Sequence, residues 1–83
     1  MRKIIDDNYD SIVKRGLITK KTKHIDFIDK IYEEVNELEE FTNYDNLKEE
    51  MADVILTVLN YAKHYKVDIE KELIKKIELN KNR

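Results

Sequence analysis

The chain has 83 residues, of which 41% are charged and 41% hydrophobic, with a net charge of −2, one glycine, and neither proline nor cysteine. That length gives a single domain spanning residues 1–83 with a small core. Disulfides and a Cys/His zinc site are excluded as reinforcement, so a homo-oligomer, dimer or tetramer, is expected. The slightly acidic balance and the lack of any long apolar run exclude a generic nucleic-acid binder, a membrane protein and a secretory signal, which leaves a cytoplasmic protein.

The first element is a helix over about Ile4 to Arg15. Asp6 and Asp7 sit in its first turn and Lys14 and Arg15 in its last, as the helix dipole favours. Gly16 stands where a left-handed residue ends a helix, with Leu17 and Ile18 placed to close over that end. The basic loop Thr19 to Lys23 follows, offering Thr19 or Thr22 as the next N-cap. A second helix runs from about Thr22 to Phe41, its core stripe being Ile25, Ile28, Ile31, Tyr32, Val35 and Leu38.

Thr42 to Asn46 is a turn in which Asn43 or Asp45 caps the third helix, about Asn46 to Tyr65. The segment Val54 to Ala62 has no charged residue over nine positions, so this helix is read as the central, buried one. Lys66 and Val67 turn the chain, Asp68 caps, and a last helix runs from Ile69 towards Asn82 with the stripe Ile69, Leu73, Ile74 and Ile77. The fold class is all-α: a compact four-helix unit with short connections, assembling into a helical-bundle oligomer.

The stretch Tyr32 to Glu40 carries five glutamates in nine residues. Position on the helix separates them. Glu34 lies in line with Phe27 and Phe41 at a spacing of seven, Glu37 lies one turn on, and Glu33 flanks both, whereas Glu39 and Glu40 face solvent. The third helix repeats the device with Glu50 and Asp53, which share a narrow polar strip with Thr57 and Asn60 between apolar neighbours. Two antiparallel helices with such acid pairs converge four carboxylates, a repulsive arrangement that a hard divalent cation with oxygen ligands resolves. Asn60 either reads a base or sugar edge or satisfies a buried hydrogen bond. His24 reads as a core or surface residue rather than a ligand, and His64 as a surface residue.

Glu33-Glu34-Val35-Asn36-Glu37 and Glu50-Met51-Ala52-Asp53, twelve residues apart, resemble the E-E-x-x-E and E-x-x-D motifs of the MazG-like all-α nucleoside triphosphate pyrophosphohydrolases. Ala52 to Ala62, Val67 to Glu70 and the closing Lys76, Asn80 and Arg83 resemble the same family. The resemblance implies that Glu34, Glu37, Glu50 and Asp53 bind Mg²⁺, with Mn²⁺ as an alternative. Glu33 is then a further ligand or orients the attacking water, so that all five acids are catalytic. It further implies hydrolysis of a nucleoside triphosphate between its α- and β-phosphates, a nucleotide-pool house-cleaning reaction. Lys76, Asn80 and Arg83 would contact the phosphates, within the chain or across to a partner subunit's site. The related alternative is a phosphoribosyl-ATP pyrophosphohydrolase; from another class, a non-catalytic helical interaction module fits the same helices.

Overall fold

Four helices and no strand build the computed structural model, which describes residues 1–83: α1 (Arg2–Lys14), α2 (His24–Glu39), α3 (Tyr44–His64) and α4 (Ile69–Lys81). Each boundary lies within two residues of the position expected from the pattern of apolar residues and caps.

Gly16 takes φ +74°, Gly16 N–H donates to the carbonyl of Val13, and Leu17 N–H donates to that of Ile12. This pair of bonds is the Schellman ending that a left-handed residue permits. Ile18 is buried beyond it, while Leu17, also expected to close over the end, points to solvent. Lys66 ends α3 in the same way at φ 59°, with Val67 N–H on the carbonyl of Ala62, although it carries a side chain that disfavours this backbone.

The cap of α2 differs from expectation. Thr19 and Thr22 use their hydroxyls inside the loop, accepting from Lys21 N–H and Thr19 N–H. The helix therefore starts after Lys23, whose N–H is bound at 2.8 Å by the carboxylate of Asp26. Asn43 and Asp68 cap α3 and α4 through the N–H groups of Asn46 and Lys71.

Helix α3 packs against α2 and against α1, so it is the central element. Phe27 of α2 is buried and stacks on Tyr61 of α3, their planes 3° apart, and His24 stacks on Tyr65. His64 is not a surface residue. Its Nδ1 lies 2.9 Å from the Tyr9 hydroxyl on α1 and its Nε2 3.0 Å from the carbonyl of Thr22, so it ties α1 and the basic loop to α3. Lys63 pairs with Asp6 alongside, again joining α3 to α1.

Burial is thinner than the apolar pattern suggests. Along α2, Ile28, Ile31, Val35 and Leu38 are half-buried, but Ile25 and Tyr32 are exposed. Phe41 lies beyond the helix end and is exposed, so Glu34 is framed by an aromatic on one side only. The central helix is not covered all round, because Met51, Ile55 and Val58 face outwards. Helix α4 makes only slight contact with the other three and leaves Leu73, Ile74 and Ile77 exposed, so the core is a three-helix unit rather than a four-helix one. Only seven of 83 residues are buried. The radius of gyration, 14.1 Å, exceeds the roughly 12 Å of a compact domain this long.

Candidate metal centre

Helices α2 and α3 run antiparallel because only four residues, Glu40 to Asn43, join them. The start of α2 therefore meets the end of α3 at the Phe27–Tyr61 stack, and the middle of α2 meets the first half of α3. That register brings Glu34 opposite Glu50 and Asp53. One carboxylate oxygen from each lies within 4.8 Å of the others.

Glu34 is only 7% exposed, Glu50 is half-buried and Asp53 faces the opening. Glu34 receives the Lys30 ammonium at 3.1 Å on Oε1, and Glu50 receives the Asn46 amide at 3.3 Å on Oε1. The other oxygen of each, Glu34 Oε2 and Glu50 Oε2, is buried with no hydrogen-bond partner. An orphaned buried carboxylate oxygen is costly, and two in one cluster of like charge are costlier. A hard divalent cation fits this donor set, since it takes oxygen ligands and offsets the shared charge.

Three of the four acids expected to converge lie within 4.8 Å of one another, and Glu37 stands beside them, near enough to feel the charges of Glu34 and Glu50. Glu37 is exposed at the rim. Its carboxyl is pushed above the ordinary carboxylate range, first by the charge of Glu34, then by partial desolvation, with Glu50 and Glu33 adding repulsion. Glu33 is exposed and lies 3.6 Å from Lys30, on the outer side of Glu34. Lys30 is held more firmly protonated than an ordinary lysine, chiefly by its hydrogen bond to Glu34 and against its own partial burial.

The cluster opens into a cavity of about 430 Å³, with α3 as its floor and α1 and α2 as its walls. Glu34 and Asp53 line one part of it. Asn60 and Asn8 line another, and Ile12, Phe27 and Leu56 supply apolar wall between. Thr57 turns its hydroxyl back to the carbonyl of Asp53 at 2.8 Å. Asn60 is buried, and its Oδ1 accepts from Asn8 Nδ2 at 2.8 Å, so the hydrogen-bonding role expected for Asn60 is filled by a residue of α1. One bond leaves the pair with amide donors and an acceptor still free, whichever way the two amides are turned. Lys76, Asn80 and Arg83 are exposed on and just past α4, and none of them lines this cavity. A larger cleft, about 790 Å³, opens between the starts of α1 and α4 and the end of α3, away from the acid cluster.

Two residues at the cavity escape a reading of the sequence alone. Lys30 carries a local signal, since it precedes Glu34 by four positions and so shares its face. Asn8 carries none: it meets Asn60 across 52 positions of chain. The family model for the MazG nucleotide pyrophosphohydrolase domain matches residues 21–82, which takes in α2, α3 and all five acids and leaves α1 outside. No curated protein and no solved structure matches the chain.

Proposed function

The chain belongs to the MazG nucleotide pyrophosphohydrolase family, and on that premise we propose that it hydrolyses nucleoside triphosphates between the α- and β-phosphates in a Mg²⁺-dependent reaction. The products are a nucleoside monophosphate and pyrophosphate, which suits removal of unwanted nucleotides from a cytoplasmic pool. The observation that carries this reading is the convergence of Glu34, Glu50 and Asp53, with two orphaned oxygens, at a cavity of nucleotide dimensions whose wall Glu34 and Asp53 help to form.

Glu34, Glu50 and Asp53 would hold the ion, with Glu37 beside them as a fourth carboxylate. Bound there, Mg²⁺ or Mn²⁺ supplies charge neutralisation at the phosphates and lowers the pKa of a water. Glu33, outside the cluster, is left to orient the attacking water. Asn8 and Asn60 offer amide donors and an acceptor to the base or sugar, with Phe27 as the apolar side of the same space.

The enzyme works as a homo-oligomer. Its accessible surface, 6764 Å², exceeds by about 1,500 Å² the surface expected of a compact monomer of this mass. Doubled over two chains, that excess is of the size an obligate dimer buries. In such an assembly Lys76, Asn80 and Arg83, which stand clear of their own chain's cavity, are available to the phosphates in a partner's. No helix is long and apolar enough to cross a membrane.

Pyrophosphate release from each common ribo- and deoxyribonucleoside triphosphate, with Mg²⁺ and with excess chelator, tests the proposal. Release from at least one nucleotide, lost on chelation, is the expected result. Failure with every nucleotide would leave the helical interaction module, and turnover of phosphoribosyl-ATP alone would favour the related pyrophosphohydrolase.

A further inference from the structure

Lys30 occupies a position that the acids' role in metal binding does not explain. Its ammonium lies 3.1 Å from Oε1 of the buried Glu34 and 3.6 Å from Oε2 of the exposed Glu33. A lysine placed N-terminal to its glutamates is the less favourable order for a helix, so intrahelical pairing alone is a weak reason for it. Its side chain is half exposed, so its head is held by these two contacts and not by packing. Lys30 also lines the cavity that Glu34 and Asp53 line, and Arg15, just past the end of α1, is the one other cation on that lining.

We propose that Lys30 is a two-position cation, pairing with Glu34 when no ion is bound and with the triphosphate when metal and nucleotide are bound. The inference rests on the nucleotide reading for its second position but not for its first. One positive charge 3.1 Å from Glu34 partly offsets the repulsion among the acids, as a bound cation would. Lys30 and the ion therefore compete for the same carboxylate. With Glu34 engaged by an ion, Lys30 would be free to turn its ammonium, on a four-carbon stem, toward the space where a polyphosphate must lie to reach the cluster. Arg15 approaches that space from the opposite wall, so the two cations clamp the phosphates between α1 and α2. The cations are then supplied within one chain, whatever α4 adds from a partner.

The competition gives a pair of opposite effects that a structural role would not. Calorimetric titration with Mg²⁺ alone should show Lys30→Met binding the ion about 2- to 5-fold more tightly than the wild type, the scale of a partly exposed charge pair. Titration of the Mg²⁺-loaded protein with α,β-methylene nucleoside triphosphates should show the same variant binding about 10- to 100-fold more weakly, the scale of a charge-assisted hydrogen bond. Lys30→Arg, which keeps the charge, should stay near the wild type in both. Weaker Mg²⁺ binding by Lys30→Met would overturn the first position, since Lys30 would then be supporting the acids' geometry. Unchanged analogue binding would overturn the second. A wild type that binds Mg²⁺ but none of the analogues would instead remove the nucleotide reading, and the second position with it, while the Mg²⁺ titration would still decide the first.

Discussion

The seam between α2 and α3 and the outer face of α4 invert the usual rule of burial. At the seam a glutamate is buried with one oxygen unpaired. On α4, Leu73, Ile74 and Ile77 stand in the open. Burying a carboxylate costs far more than exposing a leucine gains or loses, so neither arrangement is stable for its own sake. Under the proposed function each has a counterpart from outside the chain: a cation for the seam, another protein surface for the helix. The stripe on α4 repeats at three and four as those of α2 and α3 do, but the chain itself supplies no cover for Leu73, Ile74 or Ile77.

The largest effect should come from breaking the α4 side. Leu73→Lys in a symmetric assembly removes an apolar anchor twice, and should weaken association by about 3–6 kcal/mol. Sedimentation at micromolar concentration would show it as a shift to monomer. A wild type that sediments as a stable folded monomer would mean that the exposed stripe needs no cover.

The seam should break next, in activity. Glu34→Gln, Glu50→Gln and Asp53→Asn should each lower pyrophosphate release by at least about 100-fold, because a lost carboxylate also loses the alignment of water and α-phosphate. Glu37→Gln should follow them closely, and Glu33→Gln should fall between, affecting kcat more than metal affinity. Glu39→Gln and Glu40→Gln should stay near the wild-type rate, since both are exposed and outside the cluster. Equal rates across the series would make the whole stretch a solvated face.

Adding the missing counterpart sharpens the same contrast. Mg²⁺ at ten times its Kd should stabilise the fold by about 1.4 kcal/mol, raising Tm by about 6–10 °C, and Asp53→Asn should remove most of that gain. Without the ion, pH should act through Glu37. Its carboxyl titrates above its ordinary value of 4.5, so the folded chain binds that proton more tightly than the unfolded one. The metal-free protein should therefore lose stability as pH rises from about that value through the raised one. Melting curves of Glu37→Gln across this range should lack that fall.

The smallest effects lie at the two left-handed helix ends. Gly16→Ala puts a side chain on φ +74° and should cost about 1 kcal/mol, although no atom within 4 Å would meet the added carbon. Lys66→Gly relieves the same conformation at φ 59° and should gain about 0.5 kcal/mol, read as a rise in Tm.

Much of this was legible in the chain because it is written in short-range spacing. Helix existence, the turn at Gly16, the caps at Asn43 and Asp68, and the pairing of Glu34 with Glu50 and Asp53 follow from periods of three and four and from short connections that force antiparallel neighbours. The tertiary structure alone decided what those periods meet. Asn8 reaches Asn60, and His64 reaches Tyr9 and Thr22, across more than forty positions for which no local pattern exists. Glu37, one turn from Glu34, is left exposed beside the three-carboxylate cluster, because burial depends on how two helices cross and not only on the face each presents. The stripe of α4 repeats as a buried one does, yet Leu73, Ile74 and Ile77 are exposed. Periodicity records which residues share a side, and only the placement of whole helices determines whether that side finds a surface to cover it.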